Sequence, residues 1–533
     1  MVYINPHHPP SKKKKKPSSS SCFVSHTYSS PQKSKVAPNI YVNIETWFIV
    51  LVTLCIIFLI RAMLSFFTTT VPLPPGPLHI PIITNFQLLQ KSISQLEPFL
   101  KTLHAKHGPI IIVHIGSQPS IFINDHALAH HVLVQNSAII SDRPTALPTS
   151  KMLSSNQHNI NTAFYGPTWR TLRRNLAFEM LHPSKLKSFS EIQKWVLRTL
   201  INRLKTASES EPTDSIKVMP HFKYAMFSLL VFMCFGERVN DEKISDIERV
   251  QRKIMLNFGR FNKLNFWPKV TRILSRNQWE EFLKLLKDQE DVLLPLIRAR
   301  KQVKESKLNN PEEKRKLSEN EMVNLCSEFL NGGTDTTSTS LEWIMANVVK
   351  YPEVKGRLVE EIREVMGGDE NGEKEEVKEE DLQKLWYLKC VVLEGLRRHP
   401  SGKFPLPHAV KEDVVLDGYL VPKNGTVNFF LAEMALDRRV WEDPLEFKPE
   451  RFLKDETFVI PGSKEIKMMP FGAGRRICPG LNLALLHLEY FVANLVWNFD
   501  WKVPEGGHVD LTEIQEFTMV MKNPVQVHIS PRI

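Results

Sequence analysis

Near the carboxyl end the chain reads Pro470-Phe471-Gly472-Ala473-Gly474-Arg475-Arg476-Ile477-Cys478-Pro479-Gly480. One cysteine sits in a glycine-rich loop, bounded by prolines and flanked by two arginines. The apolar run Leu481 to Val496 follows and starts a helix. A cysteine just ahead of a helix N-terminus lies at the positive end of the dipole, and nearby arginines favour thiolate further. Glycines let a flat cofactor approach backbone N–H groups. These residues describe a stabilised, solitary thiolate, which fits an axial metal ligand or a nucleophile. A structural buried cysteine would not need this loop.

Upstream, Ser318-Glu319-Asn320-Glu321 forms a capping box and Pro352 marks a far end. The spacing predicts one helix over Glu319 to Tyr351, about 50 Å long. Its middle is Asn331-Gly332-Gly333-Thr334-Asp335-Thr336-Thr337. Two glycines and a cluster of hydroxyls cost helix propensity there, and threonines can bond back to carbonyls and bend the helix. Further helices are predicted over Glu191 to Lys205, Ile244 to Phe258 and Trp279 to Lys304. Short strands are predicted at Ile110 to Ile115, Ser120 to Ile123, Val414 to Leu416, Val427 to Leu431 and Val525 to Ile529. Gly367 to Asp381 is acidic and reads as a solvated loop. The expected fold is mainly α with small β-sheets.

The chain has 533 residues, 24% of them charged and 42% apolar, which is a globular balance. Its formal net charge is +11. Residues 1–44 hold seven of the 69 Lys and Arg and none of the 58 Asp and Glu, so the basicity is largely a property of this tail. Nothing in that balance points to a nucleic-acid partner. The six cysteines, at 22, 55, 234, 326, 390 and 478, form no close pair and no disulfide scaffold. Their usage fits a reducing compartment.

The domain organisation expected is a disordered, Lys- and Ser-rich extension over 1–44, a transmembrane anchor over 45–67, a Pro-rich hinge over 68–80 and a catalytic body over 81–533. Trp47 to Phe67 is interrupted only by Thr53, Arg61 and Ser65, enough for roughly 31 Å of helix. Lys12 to Lys16 precede it and would hold the tail in the cytosol by the positive-inside rule. The tail is also similar in composition to a transit peptide.

Phe471-x-x-Gly474-x-Arg476-x-Cys478-x-Gly480 resembles the haem-thiolate signature of the cytochrome P-450 family. Gly333-Thr334-Asp335-Thr336-Thr337 resembles its oxygen-activation segment, Glu394-Gly395-Leu396-Arg397 its E-x-x-R motif, and Pro449-Glu450-Arg451-Phe452 its P-E-R-F motif. With the hinge Leu73-Pro74-Pro75-Gly76-Pro77 the resemblance covers about residues 46–533, and is greatest to plant microsomal members, the family numbered eighty-nine above all. Gly332 stands where many members have Ala, Pro400-Ser401 where Pro-Pro is frequent and His408 where Arg is common. The extension 1–44 is the main departure.

The resemblance implies haem b between the long helix and the cysteine loop, with Cys478 as the iron ligand and Phe471 packed beside the sulfur. Arg476, Trp169, Arg173 and His408 would hold the propionates. Trp169 and Arg173 lie at i, i+4 and so share one helix face. Glu394, Arg397 and Arg451 would form a structural triad. Asp335 and Thr336 would deliver protons to bound dioxygen. Phe404, Leu406, Phe517 and Met519 would line a substrate pocket, by their position in the family. The implied activity is insertion of one oxygen atom from O2 into a small lipophilic plant metabolite. NADPH would supply electrons through a separate flavoprotein reductase, docking where Arg170, Arg174, Lys464, Lys467 and Arg475 cluster. The implied location is the endoplasmic reticulum membrane, single-pass and with the body cytosolic; a tail acting as a transit peptide would instead direct the chain to the chloroplast. Two other readings are a membrane-bound haem-binding protein without turnover and a haem-thiolate isomerase or dehydratase. The Asp335-Thr336 pair and the uninterrupted cysteine loop argue against both.

Overall fold

The computed structural model describes residues 47–57, 60, 71–77, 93–115, 118–210, 215–236, 239–265, 267–305, 317–367, 375–453, 458, 460 and 464–532. The chain divides into two units, residues 1–70 and 71–533. In the first unit residues 47–57 are helical. The expected extension over 1–44 lies outside the described residues. The expected anchor is described only in part, and among the described residues no helix is long and apolar enough to cross a membrane.

The second unit is mostly helical. Its principal helices are α1 (Ile93–His107), α2 (Pro167–Glu179), α3 (Ser190–Ser210), α4 (Met219–Phe235), α5 (Asp241–Asn257), α6 (Arg276–Glu305), α7 (Glu319–Lys350), α8 (Pro352–Met366), α9 (Trp386–Arg398) and α10 (Leu481–Asn498). The strands are β1 (Ile110–Ile115), β2 (Gln118–Ile123), β3 (Ile216–Lys217), β4 (His408–Ala409), β5 (Val414–Leu416), β6 (Tyr419–Val421), β7 (Thr426–Phe429), β8 (Phe499–Lys502), β9 (Glu513–Gln515), β10 (Met519–Met521) and β11 (Gln526–Pro531). They form one sheet ordered β1-β2-β7-β4, another ordered β3-β11-β8, and two hairpin pairs. β2 runs parallel to β7, with Ile121 opposite Val427.

The capping box at the start of α7 is formed as expected: Ser318 Oγ accepts from Glu321 N–H, and the Glu321 carboxylate accepts from Ser318 N–H. The helix stays continuous through its glycines. Gly332 and Gly333 together cost about 2 kcal/mol of helix propensity against alanine. At Gly333 close packing explains the residue: a Cβ there would lie 2.8 Å from a methyl of Leu230 on α4. A Cβ at Gly332 would meet nothing within 4 Å. The hydroxyls back-bond as anticipated, Thr334 to Leu330 O and Ser338 to Thr334 O, at 2.7 and 2.9 Å.

α4 was not among the predicted helices. It is apolar on nearly every face, from Met226 to Phe235, and nearly all of it is buried. A helix enclosed on all sides has no polar face and therefore no amphipathic period. It packs against α3, α5, α6 and α7, and its side chains join one core with Trp343 of α7 and Phe491 of α10. The Pro-rich hinge is fastened to the body it precedes, because Pro72 O accepts from Leu420 N–H and Pro75 O from Ile112 N–H, at 2.8 and 3.0 Å. Proline has no N–H to offer but keeps its carbonyl, so the segment pairs through acceptors alone.

Candidate haem-thiolate site

The loop before α10 is drawn together by its own backbone. Cys478 N–H donates to Phe471 O at 2.9 Å, and Ile477 N–H to Gly474 O at 3.1 Å. Gly474 has φ +68°, and a Cβ there would stand 1.9 Å from Leu133 O, so the loop is pressed on its neighbour at a point only glycine tolerates. Five cysteines are described, and all are free thiols.

The surroundings of Cys478 pull its thiol in both directions. Burial pushes its thiol above the ordinary value, while the Gly480 N–H and Arg173 pull the other way and lose. The two loop arginines do not turn to the sulfur. Arg476 donates to the carbonyls of Ser141, Ile160 and Ala163, and Arg475 to Ser137 Oγ and the Tyr165 hydroxyl. A metal ion bound to Cys478 would favour its thiolate form.

Around this loop the structure gathers Trp169, Arg173 and Arg476. Trp169 Nε1 donates to Ile160 O at 3.1 Å, Arg173 Nη2 to Ile477 O at 2.6 Å, and the Arg476 guanidinium lies 4.4 Å from the Trp169 ring centre. His408 joins them. Its Nδ1–H is placed to donate to Ile140 O at 2.8 Å, and burial, with Arg143 and Arg476 nearby, pushes its pKa down to about 3. A neutral imidazole used in this way presents Nε2 as an acceptor, so it gives an anion no proton from that nitrogen. Arg143 was missed by the sequence reading. It is buried and donates to Asn161 O, Leu406 O and Pro407 O. Burial lowers the pKa of Arg143 to about 9 and of Arg476 to about 10. No motif marks Arg143, and only its neighbours reveal it.

On α7, Asp335 pairs with Lys223 of α4 at 3.2 Å and Arg252 of α5 at 3.6 Å. Neither partner was predicted. Thr336 donates from Oγ1 to Gly332 O at 2.7 Å. Glu394 and Arg397 form a two-pronged pair at 2.7 and 2.8 Å, both fully buried, and Arg451 Nε reaches the same carboxylate at 3.1 Å. Arg397 also donates to Ala435 O and Pro444 O.

The four residues expected to line a pocket are spread out. Phe404 stacks on Phe430 with ring centres 4.7 Å apart. Leu406 and Phe517 are about half exposed, at 49% and 51%. Met519 is buried, with its carbonyl bonded to Trp343 Nε1 at 2.8 Å. Between the last two, Thr518 meets Thr339 of α7 at 3.0 Å, which seats that segment one turn beyond Thr336. A cleft of about 770 Å³ opens elsewhere, between α3, α9 and α10, and contains none of these residues.

The chemistry of the donor set decides what the site fits. Among the described residues no group of three or more His, Cys, Asp or Glu could hold a metal ion. What is present is one thiol in a glycine loop, and beside it guanidiniums of Arg143, Arg173 and Arg476 that burial has deprived of water. A metal carried in its own macrocycle with anionic side groups fits this set: the thiol takes the metal and the arginines take the anions. The cytochrome P450 family model matches residues 74–530. This chain belongs to the cytochrome P450 family. It is a monooxygenase by that membership, and the family's haem iron with thiolate ligation suits the residues described. Over 91% of this chain and 99% of the relative, it is 49% identical to Cytochrome P450 89A9 of Arabidopsis thaliana, in keeping with the resemblance to plant family eighty-nine. It is 31% identical to Strychnine-11-hydroxylase of Strychnos nux-vomica over 86% of this chain and 91% of that one. Cytochrome P450 98A1 of Sorghum bicolor is 30% identical over 86% and 92%.

Proposed function

We propose that this P450 inserts one oxygen atom from O2 into a small lipophilic plant metabolite, with electrons from NADPH through a separate flavoprotein reductase. The observation that carries the reading is the pairing of the solitary Cys478 loop with an intact Asp335-Thr336 acid–alcohol pair on α7. Haem bound through thiolate supplies the oxygen-activating chemistry. The chain's own residues do the rest. Cys478 holds the metal, while Arg143, Arg173, Arg476 and Trp169 hold the anionic groups. His408, donating from Nδ1 to Ile140 O, orients its surroundings. Thr336 Oγ1 spends its proton on Gly332 O, which leaves its lone pairs to hold a water. Asp335 exchanges protons with solvent beside Arg252, whose side chain is 40% exposed.

The metabolite class is supported by a relative whose name gives strychnine as its substrate. The reductase is supported by convergence of Arg170 and Arg475 on Tyr165, with guanidinium carbons 5.1 and 5.4 Å from its ring centre. Lys467 is engaged by Glu465 at 3.3 Å. Placement in the endoplasmic reticulum membrane, with the body cytosolic, completes the proposal. The test is the reduced, CO-bound spectrum of the purified protein. The strongly red-shifted Soret band of thiolate ligation is expected, with Cys478→Ser losing it. A wild-type spectrum like that of a histidine-ligated haem would sink the assignment.

A further inference from the structure

Glu328 lies eight residues before Thr336 on α7, two turns along the same helix face, with Gly332 between them. It belongs to none of the motifs above. Its two carboxylate oxygens accept from consecutive backbone N–H groups, Ile160 N–H at 2.9 Å and Asn161 N–H at 2.6 Å. Burial pushes its carboxyl up to about 7, and these two N–H groups pull the other way.

One of these peptides, Ile160–Asn161, faces the cradle with its opposite side, and the carbonyls that follow it in the loop do the same. Ile160 O accepts from Trp169 Nε1 and from Arg476 Nη1, at 3.1 and 3.3 Å. Asn161 O accepts from Arg143 Nε at 2.8 Å, and Ala163 O from Arg476 Nη2 at 2.7 Å. With the Glu328 carboxyl on its N–H and Trp169 and Arg476 on its carbonyl, the Ile160–Asn161 peptide is polarised in one direction, which strengthens both sets of bonds. Glu321, two turns earlier on α7, takes His158 Nδ1 at 2.9 Å and extends the attachment along the loop. The loop over residues 158–163 is thus the one described segment held by α7 on one side and by the arginines on the other.

The geometry points to Glu328 as a positioning residue. It fixes the loop 158–163 and, through the carbonyls of that loop, sets the donors Trp169, Arg143 and Arg476 that hold the cofactor's anionic groups. This rests on the haem-thiolate reading for what the donors hold, but not for the clamp itself.

The test uses the full chain with haem bound, as wild type, Glu328→Ala and Glu328→Gln. The first readout is hydrogen exchange. Two bonds to a charged acceptor are lost in Glu328→Ala, so the Ile160 and Asn161 amides should exchange about tenfold faster or more, with α8 and α10 unchanged. Glu328→Gln, which keeps one carbonyl acceptor and the volume, should fall between, and it carries the test if the alanine variant does not fold. The second readout is the rate of haem transfer to apomyoglobin, which should rise in the same order, by about tenfold in the alanine variant. Unchanged exchange over 158–163, or acceleration spread through α8 and α10, overturns the clamp. Faster loop exchange with an unchanged transfer rate overturns the coupling to the cradle. A wild-type CO spectrum without thiolate character would refute the haem-thiolate reading alone, since exchange at Ile160 and Asn161 would still report the clamp.

Discussion

Lys223 on α4 and Asp335 on α7 face each other at 3.2 Å, with side chains only 13% and 14% exposed. The carboxylate sits beside Thr336 in the middle of α7, the longest described helix. Arg252 links it onward to solvent.

Two substitutions separate the roles of this acid–alcohol pair. Thr336→Ala should keep the thiolate spectrum and NADPH consumption with reductase present, but send more oxygen to hydrogen peroxide and less to product. Asp335→Asn should keep the spectrum and slow turnover about 100-fold, the usual scale for loss of a proton-transfer group. The measurements are peroxide-to-product ratio and kcat. Unchanged coupling in Thr336→Ala would show that protons do not pass this hydroxyl.

Arg397 is the second point of leverage. It is wholly buried, and its guanidinium gives two bonds to the Glu394 carboxylate and one each to the carbonyls of Ala435, Pro444 and Glu446. Arg397→Leu should cost about 3–5 kcal/mol, because it strands the Glu394 carboxylate in the interior with only Arg451 as a cation. Urea unfolding of the haem-bound protein reads this directly. A loss under about 1 kcal/mol would mean that Arg451 alone neutralises Glu394.

The cysteine loop, the long helix with its cap and the Glu394–Arg397 pair were readable because each is local: spacing of a few residues puts the parts on one turn or one loop, whereas Arg451, 57 residues on from Glu394, was placed only by the family resemblance. Of the strands, β1, β2, β5, β7 and β11 were read from their apolar β-branched runs, although β7 ends at Phe429 and Leu431 begins a helical turn, while β3, β4, β6, β8, β9 and β10 were not predicted. α4 was hidden by its lack of a polar face. Arg143, Lys223, Arg252 and Thr518 were hidden because each reaches its place from a distant element and carries no neighbouring pattern. Glu328 lay within reach, since the i, i+4, i+8 stripe ending at Thr336 names it.

His487 on α10 gives a pH prediction. It is buried, its nearest polar atom is Gln193 Nε2 at 3.5 Å, and burial lowers its pKa from 6.5 to about 4. Protonation therefore favours the unfolded chain. Its contribution is fully present above pH 6.5 and is lost as pH falls from 6.5 toward 4, amounting to about 3 kcal/mol. His487→Leu should flatten the fall in unfolding free energy across that window by close to one proton. Parallel pH profiles of wild type and variant would place the titrating proton elsewhere.

The orientation of the chain at a membrane sets two charge arguments against each other. Lys12 to Lys16 would hold the amino-terminal tail in the cytosol and send the body across. They lie some thirty residues before Trp47, beyond the ~15–20 residues over which such charges count most. Lys33 and Lys35 remain near, against Arg61 on the other flank. The five described cysteines are all free thiols, which suits the reducing cytosol. Protease added to sealed microsomes should accordingly digest residues 71–533 and leave the apolar segment 47–67 behind. Full protection of the body would reverse the orientation and give the lysines control. Import into chloroplasts with removal of residues 1–44 would instead make the tail a targeting sequence and move the site of oxygen insertion to the plastid.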